Sequence, residues 1–197
     1  ARRRRVGWGR TQSRPHRRRR CLELGLGSGY DGKLGHGDEQ HQWQPKKVEA
    51  FGEPVVAVSA VGSHSLALAA NGSVWSWGHG GGGRLGHGDE QSQLLWPAGP
   101  RRPAAAAARR CRCGQRVVAV SAGIAHSLAI TADEAVWSWG GGLYGKLGHG
   151  DSQYQLLPKK VEAFADQRVV AMSAGTYHSI AIADGPVCCL YLGRGRR

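Results

Sequence analysis

Three histidine–aspartate pairs in this chain bring an imidazole and a carboxylate close together in the sequence. Each pair lies in a copy of Gly-x-Leu-Gly-His-Gly-Asp, where an imidazole two residues before a carboxylate could bind a metal ion or exchange a proton. A catalytic site is normally assembled once, from different parts of a chain. The threefold repetition therefore predicts a structural role, in which the aspartates accept backbone N–H bonds in tight turns and the histidines tie neighbouring loops together. The repeated positions are Gly35, His36, Asp38, Gly86, His87, Asp89, Gly148, His149 and Asp151.

Three further histidines, each followed by a serine, could suggest a Ser–His nucleophile. They are His64, His126 and His178. Such a nucleophile needs a group that orients the histidine and a site that stabilises the oxyanion, and the sequence identifies neither. We therefore expect each histidine to begin a strand and to bond a neighbouring backbone group. We expect no catalytic residue, and no enzyme activity unless a catalytic domain lies outside this sequence.

Glycine-rich segments at 27–32, 78–83 and 140–145 each satisfy the dinucleotide-binding pattern G-x-G-x-x-G. No helix pattern follows them, and they recur at the same place in every repeat, which is typical of loops that need a positive φ. The five cysteines include no C-x-x-C spacing, which argues against a zinc site. The sequence thus predicts neither a cofactor nor a metal ion.

Basic residues give the chain a formal net charge of +13, which by itself would favour a nucleic-acid partner. Residues 1–26, 96–113 and 186–197 hold 18 of the 27 lysines and arginines with one acidic residue, so that the remainder has a net charge of −4. Nucleic-acid binding therefore depends on these segments, above all on the arginine runs at 2–5 and 17–20. No apolar stretch suits a membrane span or a signal peptide, so we expect a cytoplasmic or nuclear protein.

Internal repeats determine the architecture. Val-Val-Ala-Val-Ser-Ala at 55–60, with His-Ser-Leu-Ala-Leu at 64–68, recurs after 62 residues and again, slightly changed, after a further 52. The block Val-Trp-Ser-Trp-Gly at 74–78 returns at 136–140, which completes a unit of about 51 residues. Each block is short, rich in Val, Ile and Trp, and bounded by turn residues, as expected of a strand.

The strands of one unit are expected to form a four-stranded sheet. The small apolar first strand suits a buried inner position, and Pro-Lys-Lys-Val-Glu suits a polar outer edge. Trp75 and Trp77, like Trp137 and Trp139, stand two residues apart, so both rings of a pair should project from one face and cover the next sheet. The predicted fold is all-β, a partial β-propeller of about three four-stranded blades.

These blocks, repeated three times in register, resemble the repeat of the regulator of chromosome condensation. The resemblance covers roughly residues 27–95 and 114–187. It implies a fragment of a seven-bladed β-propeller, because seven such units would need about 360 residues. An open arc would leave an uncovered blade face at each end.

The domain boundaries predicted from the repeats are a basic segment at 1–26, a first unit at 27–95, an Ala/Arg/Pro-rich insertion at 96–113, a second and a partial third unit at 114–187, and a tail at 188–197. With permitted codons, reading the N-terminal segment one base later yields Val-Val-Ala-Val-Ser-Ala and Val-Trp-Ser-Trp-Gly at the spacing of the true copies. The tail at 188–193 permits the same shift and yields Val-Cys-Thr-Trp-Gly, with its register displaced by one residue from the other copies. We therefore hypothesise that the N-terminal segment is a blade translated out of frame.

The resemblance implies a non-enzymatic module that binds a protein partner through the loops on one propeller face. The alternatives within the family are nucleotide exchange on a Ran-type small GTPase with chromatin docking, the propeller part of a HECT-type ubiquitin ligase, and plant UV-B photoreception, which we rank last because the tryptophans suit packing between blades. A basic nucleic-acid-binding protein is the alternative outside the family.

Overall fold

The computed structural model describes residues 28–44, 48, 51, 53–94, 113, 115–184 and, for the backbone only, 190–192. The basic segment 1–26, nearly all of the insertion 96–113 and most of the tail 188–197 lie outside these residues. The strands of the described part are β1 (Val55–Val61), β2 (His64–Ala69), β3 (Val74–Gly78), β4 (Val117–Ala122), β5 (His126–Thr131), β6 (Val136–Gly140), β7 (Gln155–Lys160), β8 (Arg168–Ala174), β9 (Ser179–Asp184) and β10 (Leu190–Leu192).

The strands form three antiparallel sheets, which we call blades 1, 2 and 3. Blade 1 has the order β1-β2-β3, blade 2 the order β4-β5-β6-β7 and blade 3 the order β8-β9-β10. Gln93 forms an isolated bridge with Gly78 and so marks the place of a fourth strand in blade 1. In blade 2 that place is filled by β7, which carries Lys159 and Lys160 on the outer edge as predicted. The prediction of an all-β partial propeller is confirmed.

Helical structure in the described residues is limited to short 3-10 helices of three residues each. They are Tyr30–Gly32, Gly81–Gly83, Leu143–Gly145 and Glu162–Phe164. The first three fall within the glycine-rich segments, so these segments form turns and not the strand–helix junction of a dinucleotide site.

The second strand of blades 1 and 2, and not the first, forms most of the core. All six residues of β2 and all six of β5 are buried. Blades 1 and 3 cover β5, whereas β2 is covered by blade 2 and by Val48 and Phe51, which precede blade 1. By contrast, Val56 and Val58 of β1 are 62% and 56% exposed. The prediction that the first strand is buried is therefore wrong, because in an open arc this strand faces the propeller axis, where no described residue covers it.

The tryptophans pack toward the preceding blade. Trp139 of blade 2 lies in one apolar cluster with Leu66, Leu68 and Val74 of blade 1. In blade 1, Trp75 and Trp77 both contact Phe51, which precedes β1, at ring-centroid distances of 6.0 and 5.8 Å. The predicted sharing of one face agrees with these contacts, and the sheet that the rings of blade 2 cover is the preceding one, blade 1.

Candidate functional site: a loop face held by hydrogen bonds between blades

A histidine of each buried second strand bonds a serine of the following blade. The Nε2 atom of His64 lies 2.9 Å from Oγ of Ser127, and the Ser127 hydroxyl donates to the carbonyl of Arg84 at 2.9 Å. Because the hydroxyl proton goes to that carbonyl, the His64 Nε2–H must donate to the serine oxygen. The same chain recurs one blade later, where His126 Nε2 lies 2.8 Å from Ser179 Oγ.

Burial keeps these two imidazoles neutral. Desolvation, strengthened by the positive charge of Arg84, lowers the pKa of His64 to about 3. Desolvation likewise lowers the pKa of His126 to about 4, with Lys146 as the next cause. A neutral imidazole with its proton on Nε2 suits a hydrogen bond between blades and not proton exchange near neutral pH. His178, the equivalent residue of blade 3, is only half-buried.

In each of the first two loops, one carbonyl accepts two hydrogen bonds from the blade that follows the loop. The Arg84 carbonyl accepts from Ser127 Oγ and from the Trp139 indole N–H, both at 2.9 Å. One repeat earlier, the Lys33 carbonyl accepts from Ser65 and Trp77 at the same distances. This pair of donors fastens each loop to the next blade.

Trp75 and Trp137, the other members of the tryptophan pairs, are half-buried. The Trp137 indole N–H donates to Thr131 Oγ1, within its own blade, at 3.3 Å. The two tryptophans of a pair therefore have different surroundings.

Two of the loop histidines bond a serine in the third strand of their own blade. His87 Nε2 lies 2.7 Å from Oγ of Ser76 in β3, and the Ser76 hydroxyl donates to the Leu85 carbonyl at 2.7 Å. His149 forms the same contact with Ser138 of β6 at 2.9 Å. These bonds fasten the second and third loops to strands, whereas the expected bonds of the histidines to neighbouring loops stay a prediction.

The loop aspartates accept backbone N–H bonds at the start of the following segment. Asp38, Asp89 and Asp151 each accept, through Oδ1, from the residue two positions later, at 3.2, 3.1 and 3.0 Å. This is the tight-turn geometry that the sequence analysis expected of them. His36 is half-buried in the first loop, and Gly35, Gly86 and Gly148 all have left-handed φ values there and in the equivalent loops.

Several residues of this network were not singled out from the sequence. Ser59 and Ser121 accept the backbone N–H of Ala122 and Ala174 across blade boundaries at 2.9 and 3.0 Å. The cations Arg84 and Lys146 donate to carbonyls of the next blade's first turn. The repeat offsets were the available signal, since each of these residues recurs at the same place in its unit.

The loops and first turns gather at one end of the blades, which we call the loop face. It comprises the turns that join β1 to β2, β4 to β5 and β8 to β9, the three loops at 28–38, 79–89 and 141–151, and Tyr154, whose ring lies beside Gly82 and Gly141 of the second and third loops. The backbone bond from His79 N to Ser63 O and that from Gly141 N to Ala125 O connect the loops to the turns, both bonds within single blades. The turns after β2 and β5 lie at the other end, which we call the opposite face.

The exposed tyrosines lie on the loop face, together with two exposed aliphatic side chains. Tyr144 and Tyr177 stack edge to face with ring centroids 5.5 Å apart. Tyr144 also has a left-handed φ of 65°, which is unusual for a bulky side chain and is found mainly where the surroundings or a function require it. The exposed members are Tyr30, Ile124, Leu143, Tyr144, Tyr154 and Tyr177.

The family is decided by a comparison with protein-family models. The model of the regulator of chromosome condensation (RCC1) repeat matches residues 24–68, 71–130 and 133–182. The chain belongs to the RCC1 repeat family. A second RCC1 repeat model matches residues 55–84 and 117–146, the strands and loops whose contacts are described above.

Curated proteins with RCC1-type similarity include a ubiquitin ligase and a photoreceptor. The chain is 40% identical over 159 residues to the human E3 ubiquitin-protein ligase HERC2, covering 79% of this chain and 3% of that protein. It is 37% identical over 160 residues to the ultraviolet-B receptor UVR8 of Arabidopsis thaliana, covering 80% of this chain and 34% of that protein. The chain thus spans about a third or less of these relatives.

Solved structures confirm the propeller fold. Yeast RCC1 (Prp20), solved with Kap60 bound to it, superposes with a TM-score of 0.66 at 22% identity over 85% of this chain and 38% of that one. Prp20p of Saccharomyces cerevisiae, described together with its binding properties to Gsp1p and histones, gives a TM-score of 0.58 at 19% identity over 81% of this chain and 38% of that one. At such identities the likeness concerns the fold.

The described part of this RCC1-repeat chain offers neither a metal cluster nor a membrane-crossing helix. Among the described residues no group of three or more His, Cys, Asp or Glu side chains could hold a metal ion. Within the same residues, no helix has the length and apolar character needed to cross a bilayer.

Proposed function

We propose that this chain is a non-catalytic protein-interaction module whose loop face contacts the partner. One observation carries the proposal: the four tyrosines whose side chains the structure describes all lie on the loop face and are 53–66% exposed. Tyrosine is enriched in protein interfaces because it combines a large apolar surface with a polar hydroxyl and has few rotatable bonds. A surface on which every described tyrosine is exposed fits a protein partner.

The hydrogen bonds between blades support the same proposal, because they hold the loops in place before a partner arrives. Each of the first two loops is fastened through its Lys33 or Arg84 carbonyl to two donors of the next blade. Preformed loops lose less conformational entropy on binding than mobile ones do. The opposite face, in comparison, presents polar turns with Asn71, Asp133 and Glu134.

A photo-crosslinking experiment tests this proposal. Benzoylphenylalanine would replace Tyr154 on the loop face and, as the matched control, Asp133 on the opposite face. We expect ultraviolet irradiation in cell extract to produce discrete crosslinked proteins from position 154 that are absent from position 133. Equal crosslinks from both positions, or crosslinks only from position 133, would overturn the proposal.

The HECT-ligase alternative is supported by the 40% identity to HERC2. In that case this chain would be the propeller part of a larger protein and would supply partner binding, with catalysis in another domain. The complete transcript distinguishes this alternative, because it would encode a HECT domain in the same reading frame as the repeats.

The exchange-factor alternative is supported by the likeness to Prp20, whose structure is described with binding to Gsp1p and histones. It would give this protein a Ran-type GTPase and chromatin as partners, in the nucleus. Release of fluorescent GDP from a Ran-type GTPase, measured with and without the complete protein, tests it. Unchanged release rates would exclude exchange while leaving a cytoplasmic or nuclear binding module in place.

Nucleic-acid binding is an alternative only if the arginine-rich segments are natural sequence. Deletion of residues 1–26 followed by a salt titration distinguishes it, because binding through phosphate contacts weakens steeply as salt rises. Loss of DNA affinity on deletion would favour this alternative over the protein-binding module.

A further inference from the structure

At one position, the three loops share the same backbone conformation but carry different residue types. Asp31, Gly82 and Tyr144 are the middle residues of the three 3-10 helices in the loops, and all three have left-handed φ values, 61°, 69° and 65°. The backbone is therefore the same, while the side chain changes from a carboxylate to none to an aromatic ring.

The negative charge of Asp31 in the first loop favours the charged form of Arg84 in the second loop. Burial lowers the pKa of Arg84, and the charge of Asp31 opposes that lowering. One repeat later the cation is Lys146, and the residue in the place of Asp31 is Gly82. Burial lowers the pKa of Lys146, and Arg84 lowers it further, with no carboxylate opposing the effect. The second cation thus lacks the counter-charge that the first one has.

Both cations retain hydrogen-bonding capacity. Arg84 donates through Nε to Gly81 O at 2.8 Å and through Nη1 to Ile124 O at 2.9 Å, which leaves three of its five N–H groups without a partner among the described residues. Lys146 is buried and makes one long bond of 3.5 Å to Thr176 O, with its Nζ 5.9 Å from the centre of the Tyr177 ring. Neither cation forms an ion pair with a described carboxylate.

The space in which a counter-charge could sit is open. A Cβ atom built on Gly82 would meet only Cε1 of Tyr154, at 4.0 Å. Tyr154, which is 53% exposed, borders this space, and Arg84 follows Gly82 by two residues in the second loop. We call this space the Gly82 notch.

We propose that the Gly82 notch receives an Asp or Glu side chain from an acidic segment of the protein partner, whose carboxylate takes the role that Asp31 has one repeat earlier. This inference rests on the proposed function, because it names the partner chemistry of the same loop face. The group that the first loop supplies at the equivalent place is the single carboxylate of Asp31, so the partner chemistry that we name is an acidic protein segment and not a nucleic acid.

The test fills the notch with a carboxylate from the chain itself. Gly82→Asp is compatible with the backbone, since Asp31 already adopts the same left-handed φ, and Gly82→Asn is the uncharged control of equal size. The probe is a fluorescein-labelled, N-acetylated octapeptide of alternating Asp and Glu, with the Asn–Gln octapeptide as its uncharged counterpart, titrated into the 197-residue chain and followed by fluorescence anisotropy.

We expect the acidic peptide to bind the unaltered chain and the Gly82→Asn variant alike, and to bind Gly82→Asp at least about tenfold more weakly, a difference of about 1.4 kcal/mol. The Gly82→Asp variant should also melt at a higher temperature than Gly82→Asn, because its carboxylate compensates Lys146. Equal affinities for both variants, equal binding of the Asn–Gln peptide, or equal binding of an oligothymidylate of the same charge would overturn the inference. Such results together with persistent crosslinks from position 154 would leave the loop-face function standing, whereas loss of those crosslinks would remove that function.

Discussion

His126 shows how a side chain that could act as a catalytic base serves instead to hold blades together. Its Nε2–H donates to Ser179 of the next blade, and Ser179 passes a hydrogen bond to the Lys146 carbonyl at 2.9 Å. The imidazole must be neutral and fixed to do so. The imidazole therefore serves a hydrogen bond between blades, and its protonation changes the free energy of unfolding of the chain.

The stability of the protein should fall as the pH drops below 6.5. The pKa of His126 is about 4 in the folded chain because burial disfavours the charged form, against 6.5 when the chain is unfolded. Between these values the unfolded state binds a proton that the folded state does not, so stability is lost as the pH falls from 6.5 towards 4. The contribution of His126 is about 3 kcal/mol.

Urea unfolding followed by tryptophan fluorescence at a series of pH values checks this expectation. The matched variant is His126→Gln, whose amide nitrogen can still donate to Ser179 but does not titrate. The free energy of unfolding of the unaltered chain should fall more steeply with decreasing pH than that of the variant. Parallel curves would show that His126 is not held neutral by its surroundings.

At the scale of the elements, each loop depends on close packing against the next blade. A Cβ atom on Gly86 would lie 2.8 Å from the Trp139 indole nitrogen and would push that ring away from the Arg84 carbonyl. Gly150 has a similar left-handed φ, 83° against 73° for Gly86, but nothing lies within 4 Å of its Cβ position. Alanine substitution at Gly150 measures the cost of the left-handed backbone alone, and substitution at Gly86 measures that cost together with the cost of close packing.

We predict that Gly86→Ala destabilises the chain more than Gly150→Ala does. Both substitutions carry the cost of a left-handed non-glycine residue, about 1–2 kcal/mol. Gly86→Ala adds the cost of overpacking against Trp139, about 1–3 kcal/mol. Urea midpoints measured for both variants test this, and equal losses would mean that the contact between Gly86 and Trp139 does not hold the second loop in place.

The strands could be predicted closely from the sequence, whereas the contacts between blades could not. The repeated blocks at 55–60, 64–68 and 74–78 correspond to β1, β2 and β3 within one residue at each end. The bond between His64 and Ser127 joins residues 63 apart, and it depends on how two sheets stack. A repeat pattern identifies which residues recur but not which of them meet across a boundary, so it predicted neither the bond between His64 and Ser127 nor that Trp139 covers the preceding blade.

At the scale of the whole molecule, the arc has two uncovered ends. Trp43, before blade 1, is 84% exposed, while Leu156 at the equivalent place packs against the preceding loop at Gly83. At the other end, Ile180 and Ile182 of β9 are 39% and 42% exposed. A further blade, or a second copy of the chain, could pack against the exposed side chains at either end.

Replacing Ile180 and Ile182 together by lysine should leave the chain folded and reduce self-association. The equivalent residues of blade 2, Leu128 and Ile130, are 1% and 3% exposed, so the same double replacement there should unfold the chain. Sedimentation velocity at several concentrations measures the first effect, and circular dichroism the second. Unfolding of the chain by the replacement in β9 would contradict an open end at blade 3.

The register of blade 3 bears on the reading-frame hypothesis, which stays a prediction. Ser179 of β9 pairs with Leu192, as Ser65 pairs with Trp77 and Ser127 with Trp139. A one-base shift in the tail would encode tryptophan at position 192, the place that donates to a loop carbonyl in the other blades. Sequencing the transcript tests the hypothesis, and a frame that stays open with the residues as printed would reject it.

The central claim is that the loop face of this RCC1-repeat arc binds a protein partner. Its most direct test compares two double variants of the chain by proximity labelling in cells: Tyr154→Ala with Tyr177→Ala on the loop face, and Asn71→Ala with Asp133→Ala on the opposite face, each with an unchanged urea midpoint. We expect the loop-face variant to lose its labelled partners by about tenfold or more while the opposite-face variant keeps them. Partners retained by the loop-face variant, or lost from the opposite-face variant, would show that the loop face is not the binding surface.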